Sequence, residues 1–307
     1  MSTPSKNIAF IGASGAIGRI LLAALVDAGS FNITAITRAS NKATFPEGVT
    51  VRKSDLSHAD LVAILNGHDT VVSAVGATGF ADQKKFIDAA IEAGVSRFLP
   101  SEWSADTQNE AVLALLPLFR QKKDVLEYLQ SKQSASFSWT GVACAGLFDW
   151  GIANGFFGYD IATKSATIWD TGDKKFTLTN QKQLGDALVS LLRLPEATAN
   201  KYLYISSVET SQNEILAALE SATSASWTAK RTTTDDEVSD GIKLLHEGDF
   251  GGALKLVRAT GYGDLPDIGS NYAKDRVLAH GLLGLEEESV QETIDRVVRE
   301  FKSVWVV

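Results

Sequence analysis

Three groups of residues in this sequence have types and spacing that chemistry can use. The first is Gly12-Ala13-Ser14-Gly15-Ala16-Ile17-Gly18, directly after the apolar stretch Ile8–Ile11. Glycines there allow a tight turn and a close backbone approach to a pyrophosphate, whose charge is stabilised by the N–H groups and dipole of a following helix. Lying between a strand and a helix at the head of a βαβ series, the run reads as more than turn chemistry. The second group ends the next apolar stretch, Ile36-Thr37-Arg38-Ala39-Ser40. An acid at that place would accept hydrogen bonds from a ribose 2′-hydroxyl and select NADH. None is present. Arg38 offers a planar guanidinium suited to a 2′-phosphate, with Ser14, Ser40 and Lys42 as further donors, so the expected cofactor is NADPH. The bland reading of Arg38 is a solvated strand-end charge. The third group is a helical stripe, Leu115, Phe119, Lys122, Leu126 and Leu129, whose spacing turns one lysine inward. An inward lysine carries a desolvation cost unless it is paired or bound. Lys122 could hold a ribose hydroxyl, orient a nicotinamide or act as a general acid. Alternatively, its stem snorkels along apolar surface to water.

The elements that must position these residues alternate. Strands are expected at Ile8–Ile11, Ile33–Thr37, Val49–Lys53, Val71–Val75, Arg97–Pro100 and Phe137–Val142. Helices are expected from Gly15 to Ala28, from His58, over Asp82–Ala93, and as one long helix over Ala111–Gln130. This is the grammar of a parallel sheet, and fully apolar strands imply burial on both faces. A strand near Thr167–Trp169, a helix over Gln181–Leu194 and a strand over Tyr202–Ser206 look like a return to that sheet. The expected fold class is α/β: a Rossmann-type doubly wound parallel sheet with a smaller, mostly helical C-terminal lobe. Residues 1–147 form the nucleotide-binding domain, with the sheet completed by 181–206, and residues 148–180 and 207–307 form a substrate lobe.

Within that frame Val75 and Gly76, at the end of the fourth strand, join the cofactor-facing set. Asp55 either bonds near the adenine or begins a turn. Cys144 either touches the nicotinamide region or is a small buried hydrophobe, since no histidine is placed to activate it. The aromatics Trp103, Phe148, Trp150 and Phe156 are candidates for an apolar substrate wall at the carboxyl ends of the strands, with core packing as the competing explanation.

Composition excludes several classes. The chain has 307 residues, 45% hydrophobic and 21% charged, with a formal net charge of −8. That balance is globular, and the acidic field argues against nucleic acid as a partner. A single cysteine excludes an intrachain disulfide and fits a reducing compartment. The N-terminus lacks an apolar signal core and no run approaches a membrane span, so a cytoplasmic protein is expected. The four histidines, His58, His68, His246 and His280, have no metal-site spacing. No Gly-x-Ser-x-Gly frame supports a hydrolase. Tyr128 and Lys132 fit a Tyr-x-x-x-Lys pair, but they fall too near the helix end for that proton-transfer role.

The chain resembles the NmrA-like and isoflavone-reductase-like family, an atypical branch of the short-chain dehydrogenases/reductases. The marks are the glycine loop, Arg38, Gln83-Lys-Lys-Phe-Ile-Asp-Ala-Ala90, Val95-Ser-Arg-Phe-Leu-Pro-Ser-Glu102 and Phe119-Arg-Gln-Lys122. Gly146-Leu-Phe-Asp-Trp-Gly151 is similar to the fungal members in particular. The resemblance implies a reductase using NADPH on a small aromatic or conjugated substrate, an enone, ketone or quinone-methide-like compound, with Lys122 at the family's catalytic lysine. Trp103 stands where many relatives carry Phe and Ser104 where they carry Gly, so the resemblance does not carry substrate identity across. It also implies an alternative: a non-catalytic NADP(H) sensor that regulates a protein partner.

Overall fold

Asn7–Ile11 forms the first strand, β1, and its side chains divide between two cores. Ile8 and Phe10 pack on one face, Ala9 and Ile11 on the other. Successive strand residues point to opposite faces, so a continuous apolar run is satisfied only when both are covered. The computed structural model describes residues 5–305. After β1 follow α1 (Ala16–Ala28), β2 (Asn32–Arg38), β3 (Val49–Ser54), α2 (His58–Leu65), β4 (Thr70–Ser73), α3 (Gln83–Glu92) and β5 (Arg97–Leu99). Then come α4 (Glu110–Leu115), α5 (Arg120–Lys132) and β6 (Ser138–Ala143). Val71 and Val72 of β4, and Phe98 and Leu99 of β5, split between the same two cores as the residues of β1.

The expected single helix over Ala111–Gln130 is two helices. α4 is capped by the Asn109 side chain, which accepts from Ala111 N and Val112 N. It stops at Leu116, a short 3₁₀ turn spans Pro117–Phe119, and α5 begins at Arg120. Pro117 has no N–H to donate, and its ring pushes the preceding residue out of helical geometry; Leu116 sits at φ −123°.

The remaining elements are β7 (Gly146–Leu147), α6 (Phe148–Ala153), β8 (Tyr159–Asp160), β9 (Ser165–Trp169), β10 (Phe176–Thr179), α7 (Gln181–Arg193) and β11 (Lys201–Tyr204). They continue with β12 (Val208–Thr210), α8 (Gln212–Thr223), β13 (Thr228–Thr232), α9 (Thr234–His246), α10 (Gly251–Tyr262), α11 (Tyr272–Asp275), α12 (His280–Leu283) and α13 (Val290–Trp305). The main sheet is parallel throughout, in the order β11-β6-β5-β4-β1-β2-β3. Its direction of winding reverses between β1 and β4, and such a switch point opens a crevice at the carboxyl ends of the strands. Helix α7 lies against α1, and the approach depends on Gly185, where a Cβ would overlap that of Ala24.

The second lobe contains helices and two small three-stranded sheets, β12-β10-β7 and β13-β9-β8. Its core includes Phe148, Trp169, Phe176 and Tyr262. A further cluster, with Phe80, Phe119, Leu256 and Ile268, joins α10 to the helices below the crevice. Among the described residues no helix is long and apolar enough to cross a membrane.

Candidate active site

β1 runs directly into the glycine loop. Gly12 has φ +87°, a left-handed value that favours glycine, and a Cβ there would run into the Ala74 carbonyl just beyond β4. A Cβ on Gly18 would overlap the Gly12 carbonyl oxygen. The loop therefore lies close against β4, with the first turn of α1 tucked over it. Gly15 N donates to Gly12 O at 3.0 Å and closes the turn. Gly15 is also the N-cap of α1, and neither a side-chain cap nor an acidic residue occupies the first turn. The N–H groups of Ala16, Ile17 and Gly18 thus have no acceptor within the helix and face a site that suits an anion. A cavity of about 240 Å³ lies here, walled by Gly12, Ala13, Ser14, Gly15, Thr37, Arg38, Val75 and Gly76, among others. These residues fit a dinucleotide phosphate: the backbone is bare where a Cβ would intrude, and the helix start is free to donate.

Arg38 is exposed at the cavity wall and makes no ion pair among the described residues. Asn41, absent from the sequence expectation, also lines this wall. Its amide donates to Ser14 Oγ at 3.0 Å and to Thr37 Oγ1, tying the glycine loop to the end of β2. An asparagine just past a strand end is a turn residue, and that was the available signal. Phe45 forms another part of the wall. Of the expected cofactor contacts, Ala16, Ile17, Gly18, Ser40, Lys42, Asp55, Lys122 and Cys144 fall outside the cavity lining. Ser40 and Lys42 are exposed beside the cavity. Asp55 accepts from Ser57 N at 2.7 Å, and bonds with Ser57 hold its carboxyl below the usual range. The turn reading of Asp55 is the one the structure realises.

Lys122 faces inward from the start of α5, only 4% exposed. Its Nζ donates to the Glu102 carbonyl oxygen at 3.0 Å and to Ser104 Oγ at 2.8 Å. The same ammonium lies 4.8 Å from the Phe80 ring centre and 4.9 Å from that of Phe119. Two aromatic faces and two oxygen acceptors replace water around it. Burial still lowers its pKa from the ordinary lysine value, opposed by the negative charge of Glu102. Glu102 is itself buried, with its carboxylate beside Thr107 and Tyr202 hydroxyls. Desolvation raises the Glu102 pKa, while Lys122 pulls it back. Lys123, one residue on, pairs with Glu110 at the surface. Tyr128 donates to Asp88 Oδ1 at 2.6 Å, and Lys132 pairs with the same carboxylate, so this tyrosine–lysine pair is engaged away from the crevice.

A second cavity, of about 220 Å³, begins where the first ends: Ala16 and Ile17 of α1 line it, together with Trp103, Trp150 and Phe156. Trp103 is held by donating its indole N–H to Ser73 O at 2.8 Å. Ser104, the acceptor of Lys122, is also in this wall, whereas Lys122 itself lines neither cavity. Two expectations are corrected. Phe148 is fully buried in the second core and does not reach the cavity, because Phe148 and Ile152 sit one turn apart on the core face of α6. Cys144 is fully buried, and burial pushes its thiol up to about 12, so it is a packed hydrophobe outside both cavities. The far wall carries residues that the sequence did not suggest: Arg258, Tyr262, Ser270 and Tyr272, from α10 and the segment beyond it.

Comparison with known proteins gives this geometry a context. The profile of the NmrA-like family matches residues 4–247. Oxidoreductase aprR of Aspergillus flavus is 33% identical over 300 residues, covering 95% of this chain and 99% of that protein. Oxidoreductase poxI of Penicillium oxalicum is 31% identical over 290 residues, covering 94% and 92%. A leucoanthocyanidin reductase from Vitis vinifera, solved as a ternary complex, superposes with a TM-score of 0.78 at 19% identity, covering 95% of this chain and 99% of that one. That reductase is also solved as a binary complex with NADPH. At such identity the likeness shows the fold, while the two fungal relatives match over nearly their whole length. The chain belongs to the NmrA-like family and is an oxidoreductase.

Proposed function

We propose that this oxidoreductase reduces a small aromatic or conjugated substrate, an enone, ketone or quinone-methide-like compound, at the expense of NADPH. The observation that carries this reading is a shared wall. Gly12 to Gly15 border the cavity suited to a dinucleotide, and the next two residues, Ala16 and Ile17, border the aromatic one. A nucleotide in the first cavity would therefore present one end to a ring in the second.

The roles follow from placement. The N–H groups at the start of α1 and Ser14 hold the phosphates, and Arg38 holds the 2′-phosphate. Val75 and Gly76 close the nucleotide wall. Trp103, Trp150 and Phe156 bind the substrate ring, and residues 148–180 and 207–307 act as the substrate lobe. NADPH supplies the hydride when bound. Lys122 fixes the Ser104 hydroxyl at the cavity wall; when the Ser104 O–H turns from the Glu102 carbonyl oxygen to the substrate oxygen and gives up its proton, Lys122 Nζ replaces that proton and is left as the neutral amine. A buried ammonium with a lowered pKa releases its proton more readily than a solvated one, which suits a general acid.

The test is a fluorescence titration with NADPH and NADH, followed by nicotinamide absorbance across a panel of aromatic enones and ketones. Preferential NADPH binding and oxidation on at least one substrate class are expected. A protein that binds NADPH and oxidises none of it across the panel is a nucleotide sensor instead. If neither nucleotide binds, both readings fall.

A further inference from the structure

The second cavity is apolar over most of its wall, yet Arg258 lines it and is the one charged residue that does. Arg258 projects from α10 and makes no ion pair among the described residues. Its Nε is buried with no hydrogen-bond partner. The guanidinium stands 5.9 Å from the centre of the Phe156 ring. Across the same cavity wall the Ser270 hydroxyl is buried without a partner as well. Two orphaned polar groups in one cavity are an unusual pair, because a buried donor left unsatisfied costs about 1–3 kcal/mol.

The segment that carries Ser270 is firmly placed. Thr177 N and Thr177 Oγ1, from β10, both donate to Ser270 O at 3.0 and 3.1 Å, and Tyr272 N donates to Thr177 Oγ1 at 3.1 Å. Ser270 Oγ is thus held at the wall by backbone contacts that do not use it. The Ser270 hydroxyl and the Arg258 Nε–H, each without a hydrogen-bond partner while the rest of the half-buried guanidinium lies beside Tyr262 and Phe156, match the acceptor lone pairs of a planar anion. The surrounding rings lower the local dielectric and strengthen such a contact relative to water.

Resting on the reductase reading, we infer that the substrate is an aromatic carboxylate, with its carboxylate accepting from Arg258 and Ser270 while its ring lies on Trp150 and Phe156. The Arg258 site then selects among conjugated aromatics by charge.

The test uses benzalacetone and its para-carboxy derivative as a matched pair, with binding measured by calorimetry on the protein with and without NADPH. The parent chain is expected to bind the carboxylate about 10- to 100-fold more tightly than the neutral compound, the range for charge-assisted hydrogen bonds. Arg258→Met should abolish that preference while NADPH affinity stays within about twofold. Ser270→Ala should remove a smaller part, and Arg258→Lys should retain some. Equal affinity in the parent, a preference that survives Arg258→Met, or a parallel loss of NADPH affinity in that variant would overturn the inference. Arg258-dependent carboxylate binding, together with no NADPH oxidation in the absorbance panel of aromatic enones and ketones, would instead leave this site standing and remove the reductase reading.

Discussion

Lys122 Nζ lies 2.8 Å from Ser104 Oγ, so a buried cation on α5 reaches the aromatic cavity only through a neighbour's hydroxyl. The relationship separates catalysis from cofactor affinity. Lys122→Met should lower kcat by about 100-fold, the usual scale for losing a general acid, while the NADPH dissociation constant changes little. Ser104→Ala should lower kcat in the same direction, and steady-state kinetics with nucleotide titration reads both.

The same burial gives a pH dependence with a definite sign. Desolvation places the native pKa of Lys122 below its unfolded value of 10.5. Between those two values the unfolded chain binds more protons, so this group's contribution to stability rises with pH and is worst below the native pKa. Replacing the lysine with methionine removes that rise. It also strips Glu102 of its cation, so the carboxylate pKa climbs further and its burial becomes less favourable as pH increases. The two effects fall in different pH ranges: the carboxylate effect acts as pH rises through the Glu102 range, and the lysine effect makes the parent gain stability relative to Lys122→Met between the native lysine pKa and 10.5. Urea midpoints measured in a pH series check this, and a gap that narrows with pH would contradict the burial argument.

Arg38 is exposed and unpaired among the described residues, so truncation removes a ligand contact and little else. Arg38→Ala should weaken NADPH binding by about 10- to 100-fold and leave NADH binding unchanged. Competitive fluorescence titration reads the ratio; an equal loss for both nucleotides would assign Arg38 to general attraction.

Two glycines divide folding from binding. Gly18→Ala places a methyl onto the Gly12 carbonyl, so the loop must shift, and a stability loss of about 1–3 kcal/mol is expected together with lost nucleotide binding. A Cβ on Gly76 meets nothing within 4 Å, yet Gly76 lines the glycine-loop cavity. Gly76→Ala should therefore keep the parent Tm and lower NADPH affinity. Thermal melts beside titrations distinguish the two.

The glycine-loop side of the crevice, as a geometry, is legible from sequence because its causes are local. A glycine run between strand and helix, a base at a strand end and a lysine on an apolar stripe each depend on residues within a few positions. Pro117 was equally local and marks where the expected long helix breaks. Phe148 and Trp150 look alike in sequence, but they lie two residues apart on a short helix, so one enters the core and the other the cavity. Arg258, Ser270 and Tyr272 were invisible for a different reason. They reach the site only because α10 and the chain beyond it pack over β10, a tertiary event with no periodic signature.

Strand β11 arrives after most of the second lobe's first sheets have been laid down in sequence, yet it pairs with β6 and closes the edge of the main sheet. Helix α7, just before it, covers α1 through the Gly185 contact. During synthesis, then, β6 waits with an open edge until about sixty further residues have emerged. An unpaired edge is a site for wrong pairing. The order in which the ribosome delivers these segments ties the two lobes together, because any truncation between β6 and β11 would release a sheet with its flank bare.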